Sequence, residues 1–154
     1  MTIKGQATNN SGTVVTTPAV TDKVVTLSGT GQAVPTAQLG VSPGSLSFAQ
    51  TTVGQQSTAQ DVTVSNSGTA AMTISAITLG GTNAGDFIKS GTCSTASSVA
   101  AGGSCTVSVV FSPTGTGARS ATLTLTTNAA NNGGSATISM AGSAAAAPVP
   151  VVSL

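Results

Sequence analysis

Short alternations of apolar and polar residues run through this chain, and almost nothing in it repeats at helical spacing. In "DVTVSNSG" Val62 and Val64 share one face, with Thr63 and Ser65 on the other. "CTVSVVF" sets Cys105, Val107, Val109 and Phe111 against Thr106, Ser108 and Val110. "ATLTLTT" alternates Leu123 and Leu125 with threonines, and "SATISMAG" does the same with Ala136, Ile138 and Met140. "MTISAITL" carries Met72, Ile74, Ile77 and Leu79, and a slip of register near Ala76 predicts a bulge or two short strands. "QLGVSPGSLSF" adds a short opening strand and then Leu46 and Phe48. A strand buries every second side chain. The predicted core is therefore Val62, Val64, Ile74, Leu79, Val107, Val109, Phe111, Leu123, Leu125 and Ile138.

Turn signals separate these runs: "SPG" 42–44, "NSG" 66–68, "GG" 80–81, "AGG" 101–103, "SPTGTG" 112–117 and "NNGG" 131–134. The last favours positive φ, which suits a hairpin between the final two strands. About seven strands in such a span predict an all-β, immunoglobulin-like β-sandwich with extra terminal strands.

At this length, "SxSF…VG", "VSNSGTA", "GDF", "AAGGSCTVSVVFSPTGTG" and the closing "MAGS" strand together resemble the choice-of-anchor D type of repeat in bacterial surface proteins. That group is similar to Hydin-like, ASH-like immunoglobulin domains and, more distantly, to major sperm protein folds. The resemblance covers residues 39–144 and implies extracytoplasmic surface proteins, with the domain often in tandem. It implies no chemistry. The expected organisation is an N-terminal extension, 1–34, then the sandwich, 35–144, then an Ala/Pro linker and terminal strand, 145–154.

Charge changes the picture next. Only 5% of the 154 residues are charged, against about 25% in an average globular protein. They are Lys4, Asp22, Lys23, Asp61, Asp86, Lys89 and Arg119, for a net charge of +1, and the chain has no His, Glu, Trp or Tyr. Such a balance gives no footprint for a nucleic acid. No apolar run reaches the roughly 18 residues of a membrane span, and "MTIKGQATNN" lacks the apolar core of a signal peptide. The chain reads as a mature form, an excerpt or an intracellular protein. Its polar faces are Thr and Ser rather than Lys and Glu, one way for a secreted β-protein to stay soluble; the alternative reading is that its weakly charged edges suit packing against copies of the same chain.

Catalytic constellations are poorly supplied. Without His or Glu, and with three well-separated Asp residues, no acid–base pair or hydrolase triad is visible. Asp61 reads as a solvated strand start and Asp86 as a turn residue. No metal-ligand cluster, nucleotide-binding glycine motif or cofactor is indicated. Cys93 and Cys105 carry the one covalent signal. They bracket a Gly/Ala/Ser-rich loop without C-x-x-C spacing, which favours a structural disulfide in a secreted domain.

The ends hold a repeat. "VTLSGTG" 25–31 matches "ISMAGSA" 138–144: Val25 and Ile138, Leu27 and Met140, and Gly29 and Gly142 each stand 113 positions apart. The same offset carries Pro35 onto Pro148 and Val41 onto Leu154. The chain thus reads as the tail of one repeat, a full repeat and the start of the next. Val24, Val25, Leu27, Val149, Val151 and Leu154 are the expected subunit-joining strand residues, pairing with copies of the chain or adjoining repeats. The expected function is a non-enzymatic structural module of an extracellular fibre, pilus-like filament or tandem surface protein. The alternative is an Ig-like accessory adhesion domain, which exposed aromatics would favour.

Overall fold

The computed structural model describes residues 28–149. The chain divides into two units, Met1–Ala33 and Val34–Leu154. In the first, the described residues 28–33 are exposed and lie outside any strand.

The second unit is a two-sheet sandwich. Its strands are β1 (Leu39–Ser42), β2 (Ser45–Ser47), β3 (Thr51–Thr52), β4 (Gln60–Asn66), β5 (Met72–Gly80), β6 (Phe87–Gly91), β7 (Ser98–Val99), β8 (Ser104–Phe111), β9 (Gly117–Thr127) and β10 (Ser135–Ala145). One sheet has the order β1-β4-β8-β6 and the other β2-β10-β9-β5-β7, with β3 also beside β10. Pairing is antiparallel except where β2 and β3 run parallel to β10. Count the broken opening strand β1–β3 once, set aside the two-residue β7, and the expected seven strands remain. The opening strand breaks because it serves both sheets: β1 pairs with β4, the chain crosses at the cis Ser42–Pro43 peptide, and β2 joins β10. Proline cannot donate to a ladder, so it fits a crossing between sheets.

Sequence pattern and structure agree closely along the long strands. Val62, Val64, Ile74, Val107, Val109, Phe111, Leu123, Leu125 and Ile138 are all buried. The register slip in β5 is a bulge: Ile74 faces Thr127 and Ala76 faces Thr126. It lets Ile74 and Ile77, three residues apart, both point inward. Leu79 corrects the predicted core, being only partly buried. It faces inward but near the end of β5, where it packs on the margin of the core rather than within it. The "NNGG" turn takes positive φ at Asn132, Gly133 and Gly134. At Gly134 a Cβ would also strike the Thr127 carbonyl, so both backbone conformation and space call for glycine there.

The chain's three aromatic residues form one cluster inside the sandwich. The rings of Phe48, Phe87 and Phe111 have centroids 5.1 to 5.9 Å apart. Gly142 on β10 makes room for them, since a Cβ there would lie 2.7 Å from the Phe111 ring. The glycine of the closing strand is thus a seat for an aromatic ring.

Leu123→Ala should cost about 2–5 kcal/mol of unfolding free energy, the range for a fully buried leucine. Leu79→Ala should cost clearly less. Denaturant titrations of the two variants test the assignment, and equal losses would contradict it.

Candidate functional site

Loops gather at the two ends of the sandwich, and its two most deeply buried polar side chains, Asn66 and Asp86, lie one at each end. At one end sits Asn66, the last residue of β4 and 1% exposed. Its Oδ1 accepts from the Gln38 and Gly68 N–H groups, both at 3.0 Å. Its Nδ2 donates to the carbonyls of Ala70 (2.8 Å), Val99 (3.0 Å) and Ala100 (3.3 Å). The contact with Gly68, two residues on, is an Asx turn of the kind an "NSG" sequence signals. The contacts with residues 38, 99 and 100 depend on tertiary placement and leave no local trace in the sequence. Alongside, Asn131 grips β1: its Oδ1 accepts from the Leu39 N–H (2.8 Å) and its Nδ2 donates to the Leu39 carbonyl (2.9 Å). A side chain here takes the place of a neighbouring strand.

At the other end Asp86 is buried in a 3-10 turn, Ala84–Asp86. Its Oδ1 accepts from the Thr114 N–H and hydroxyl at 3.0 and 2.7 Å, and its Oδ2 lies 3.5 Å from Nε of Arg119. Arg119 also donates to the carbonyls of Gly115 and Thr116. Asp86 is a turn residue, as the sequence indicates, and it also anchors the 112–117 loop. Asp61 is at the solvent-facing start of β4, where it accepts from the Ser108 hydroxyl.

The sheet edges are better guarded than the low charge suggests. Asn131 occupies β1 at Leu39. β7 is two residues long, and the β2–β3 edge is interrupted at residues 48–50. β6 is longer and exposed, with Ile88 47% accessible. Lys89 is exposed on the same strand, and a lysine on an edge strand opposes the docking of another strand.

Cys93 and Cys105 are joined by a disulfide, with Cα atoms 5.1 Å apart. Between them the chain leaves the first sheet, pairs as β7 with β5 in the second, and returns as β8. The bond therefore closes an excursion across the sandwich. Of the expected joining residues, Val24, Val25, Leu27, Val151 and Leu154 lie outside the described residues. Val149 is 83% exposed and is not in a strand.

A shallow groove of about 510 Å³ on the second sheet is lined mainly by small and hydroxyl residues, among them Ser45, Ser47, Ser120 and Ser139. Among the described residues no group of three or more His, Cys, Asp or Glu side chains could hold a metal ion. No helix of the described residues is long and apolar enough to cross a membrane.

Asn66→Ala should destabilise the domain by at least about 3 kcal/mol, because a buried carboxamide and the backbone groups it bonds lose partners and each unsatisfied group costs about 1–3 kcal/mol. Asn66→Asp should recover part of that loss at acidic pH. Only a protonated carboxyl can donate toward the carbonyls now facing Nδ2, and burial raises a carboxyl pKa, so stability should fall as pH rises. Urea titrations at two pH values provide the check.

Comparison with known proteins follows the same architecture. A search of curated proteins gives no match. Among solved structures, the ASH/PapD-like domain 7 of human CEP192 is similar at 15% identity and a TM-score of 0.54, covering 81% of this chain and 97% of that one. A Porphyromonas gingivalis protein of unknown function aligns at 15% identity and a TM-score of 0.59, over 73% of this chain and 49% of its own. The VesB protease of Vibrio cholerae aligns at 24% identity and a TM-score of 0.51, over 69% of this chain and 32% of its own. This chain thus spans about half of the first bacterial protein and about a third of the second. At these identities the likenesses show the fold. The family described as "Abnormal spindle-like microcephaly-assoc'd, ASPM-SPD-2-Hydin" (ASH) matches residues 35–133, and the chain belongs to it.

Proposed function

We propose that this chain is a non-catalytic structural module of an extracellular fibre, pilus-like filament or tandem-repeat surface protein, of the choice-of-anchor D type, joined to its neighbours by β-strand sharing. The observation that carries this reading is the place of the repeated segments in the fold. Residues 138–144 belong to β10, which pairs with β9 on one side and β2 and β3 on the other. Residues 35–41 contain the start of β1, clamped by Asn66 and Asn131. In sequence, "VTLSGTG" repeats the segment that forms β10, and residues 148–154 repeat the segment that opens β1. Both positions in this sandwich are already filled by its own residues, and its edges are blunted. Partners for the extra segments are best supplied by an adjoining repeat or another copy.

The disulfide supports an oxidising, extracellular setting. The adhesion reading loses support, since all three phenylalanines are buried and none is available to stack on a ligand. Removal of residues 1–33, or Val25→Pro, should convert assemblies of the full chain into monomers with an intact sandwich. Sedimentation, electron microscopy and far-UV circular dichroism read the outcome. A full chain that stays monomeric, or assemblies that persist after truncation, would sink strand sharing between copies.

A further inference from the structure

The described chain enters and leaves the sandwich at opposite ends. β1 begins at the Asn66 end, where Leu39 pairs with Asn66. β10 ends beside Gly117 and Thr52, toward the Asp86 end. The incoming segment is gripped before the strand starts. Thr36 bonds to Thr69 and Ala70, Ala37 accepts from Ala130, and Gln38 bonds to Asn66 and Ser67.

We infer that the sandwich is a link that transmits tension, and that the parallel seam between β2–β3 and β10 is its mechanical clamp. This rests on the reading of the module as one link in a larger array. Tension applied before Thr36 and after Ala145 runs along the strand axes. It drags β2 and β3 toward the Asn66 end and β10 toward the Asp86 end. The strands run parallel and are direct neighbours, so the load shears them past each other. The seam extends from the Ser45–Ser139 pair to the Thr52–Ala145 pair. It includes bonds from the Phe48 N–H to the Ala141 carbonyl (2.8 Å) and from the Val53 N–H to the Ala145 carbonyl (2.9 Å). In shear these bonds carry the load together, whereas peeling would break them one at a time. Leu46, Phe48 and Met140 are buried beneath the seam and keep water from its inner side. The disulfide lies off this path, in the β6–β8 excursion, and withholds the chain between residues 93 and 105 from stretching.

Single-molecule force spectroscopy on the full chain tests the clamp, because forced unfolding reports the unfolding barrier. Handles at the two termini load the seam in shear. Handles at the N-terminus and at an Ala130→Cys variant in the β9–β10 turn pull from one end and peel it. The rupture force should be several-fold higher in the first geometry. Val53→Pro, which deletes the donor to Ala145, should lower the force in the first geometry and leave the second nearly unchanged. Reduction should release the 12 residues held by the disulfide, adding roughly 4 nm at about 3.5 Å per residue, without lowering the end-to-end rupture force. Equal forces in the two geometries would overturn the clamp and leave the tandem reading standing. Failure of the truncation experiment would remove strand sharing between copies and leave a high shear force intact.

Discussion

The buried carboxamide of Asn66 is the constraint on which the arrangement of this sandwich depends. Four stretches of chain meet around it: the segment into β1, the turn after β4, the end of β7 and the loop before β8. Each brings backbone groups to the carboxamide, and buried backbone groups without partners are costly. Only a side chain with both an acceptor and paired donors can answer all of them, which means a primary amide. Asparagine is short enough to do this from the strand that carries it. With Gln38 held there, β1 lies in register on β4, and the chain reaches the crossing that sends β2 to the opposite sheet. The position of the opening strand in both sheets follows from that one polar contact set.

The long strands were legible because burial on one face imposes a period of two on the residues. Val62 and Val64, Val107 to Phe111, and Leu123 and Leu125 obey it without exception. The β5 bulge was legible for the same reason, since a break in the alternation is as readable as the alternation itself. The "NNGG" turn showed through its demand for positive φ. What stayed hidden was whatever depends on residues far apart in the chain. Leu79 has a core pattern, yet its distance from the centre of the sandwich is a property of the assembled sheets. β7 is too short to carry a period. The Asp86–Arg119 pair and the multiple bonds of Asn66 and Asn131 join loops from separate hairpins, and no local rule links them. The joining residues of the termini rest on internal repetition in the sequence and lie outside the described residues.

Scarcity of charge does not mean that charge is unused. Among the described residues each charged group has a distinct place. Asp61 accepts from Ser108, Asp86 and Arg119 anchor one loop, and Lys89 stands exposed on the edge strand β6. Elsewhere the strand positions that alternate with the core carry many hydroxyl residues, among them half-buried Thr122 and Thr124 and exposed Thr126 on β9. Threonine keeps strand propensity while remaining compatible with water. The surface is therefore polar without being strongly charged, and specificity against unwanted pairing comes from edge geometry more than from repulsion.

The parallel seam has a further consequence during synthesis and folding. β2 and β3 are made early, yet their partner β10 is the last strand of the domain. Leu46 pairs in register with Met140, across nearly the whole sandwich sequence. Contacts between residues so far apart in the chain slow folding, because the loop entropy is lost before the contact forms. A nascent chain must carry β2 and β3 unpaired until the final hairpin is complete. A chain stopped short of β10 would leave both β9 and the β2–β3 segments without their shared neighbour. Such an intermediate exposes strand edges to other chains, so timely completion of the last strand is itself a safeguard against aggregation.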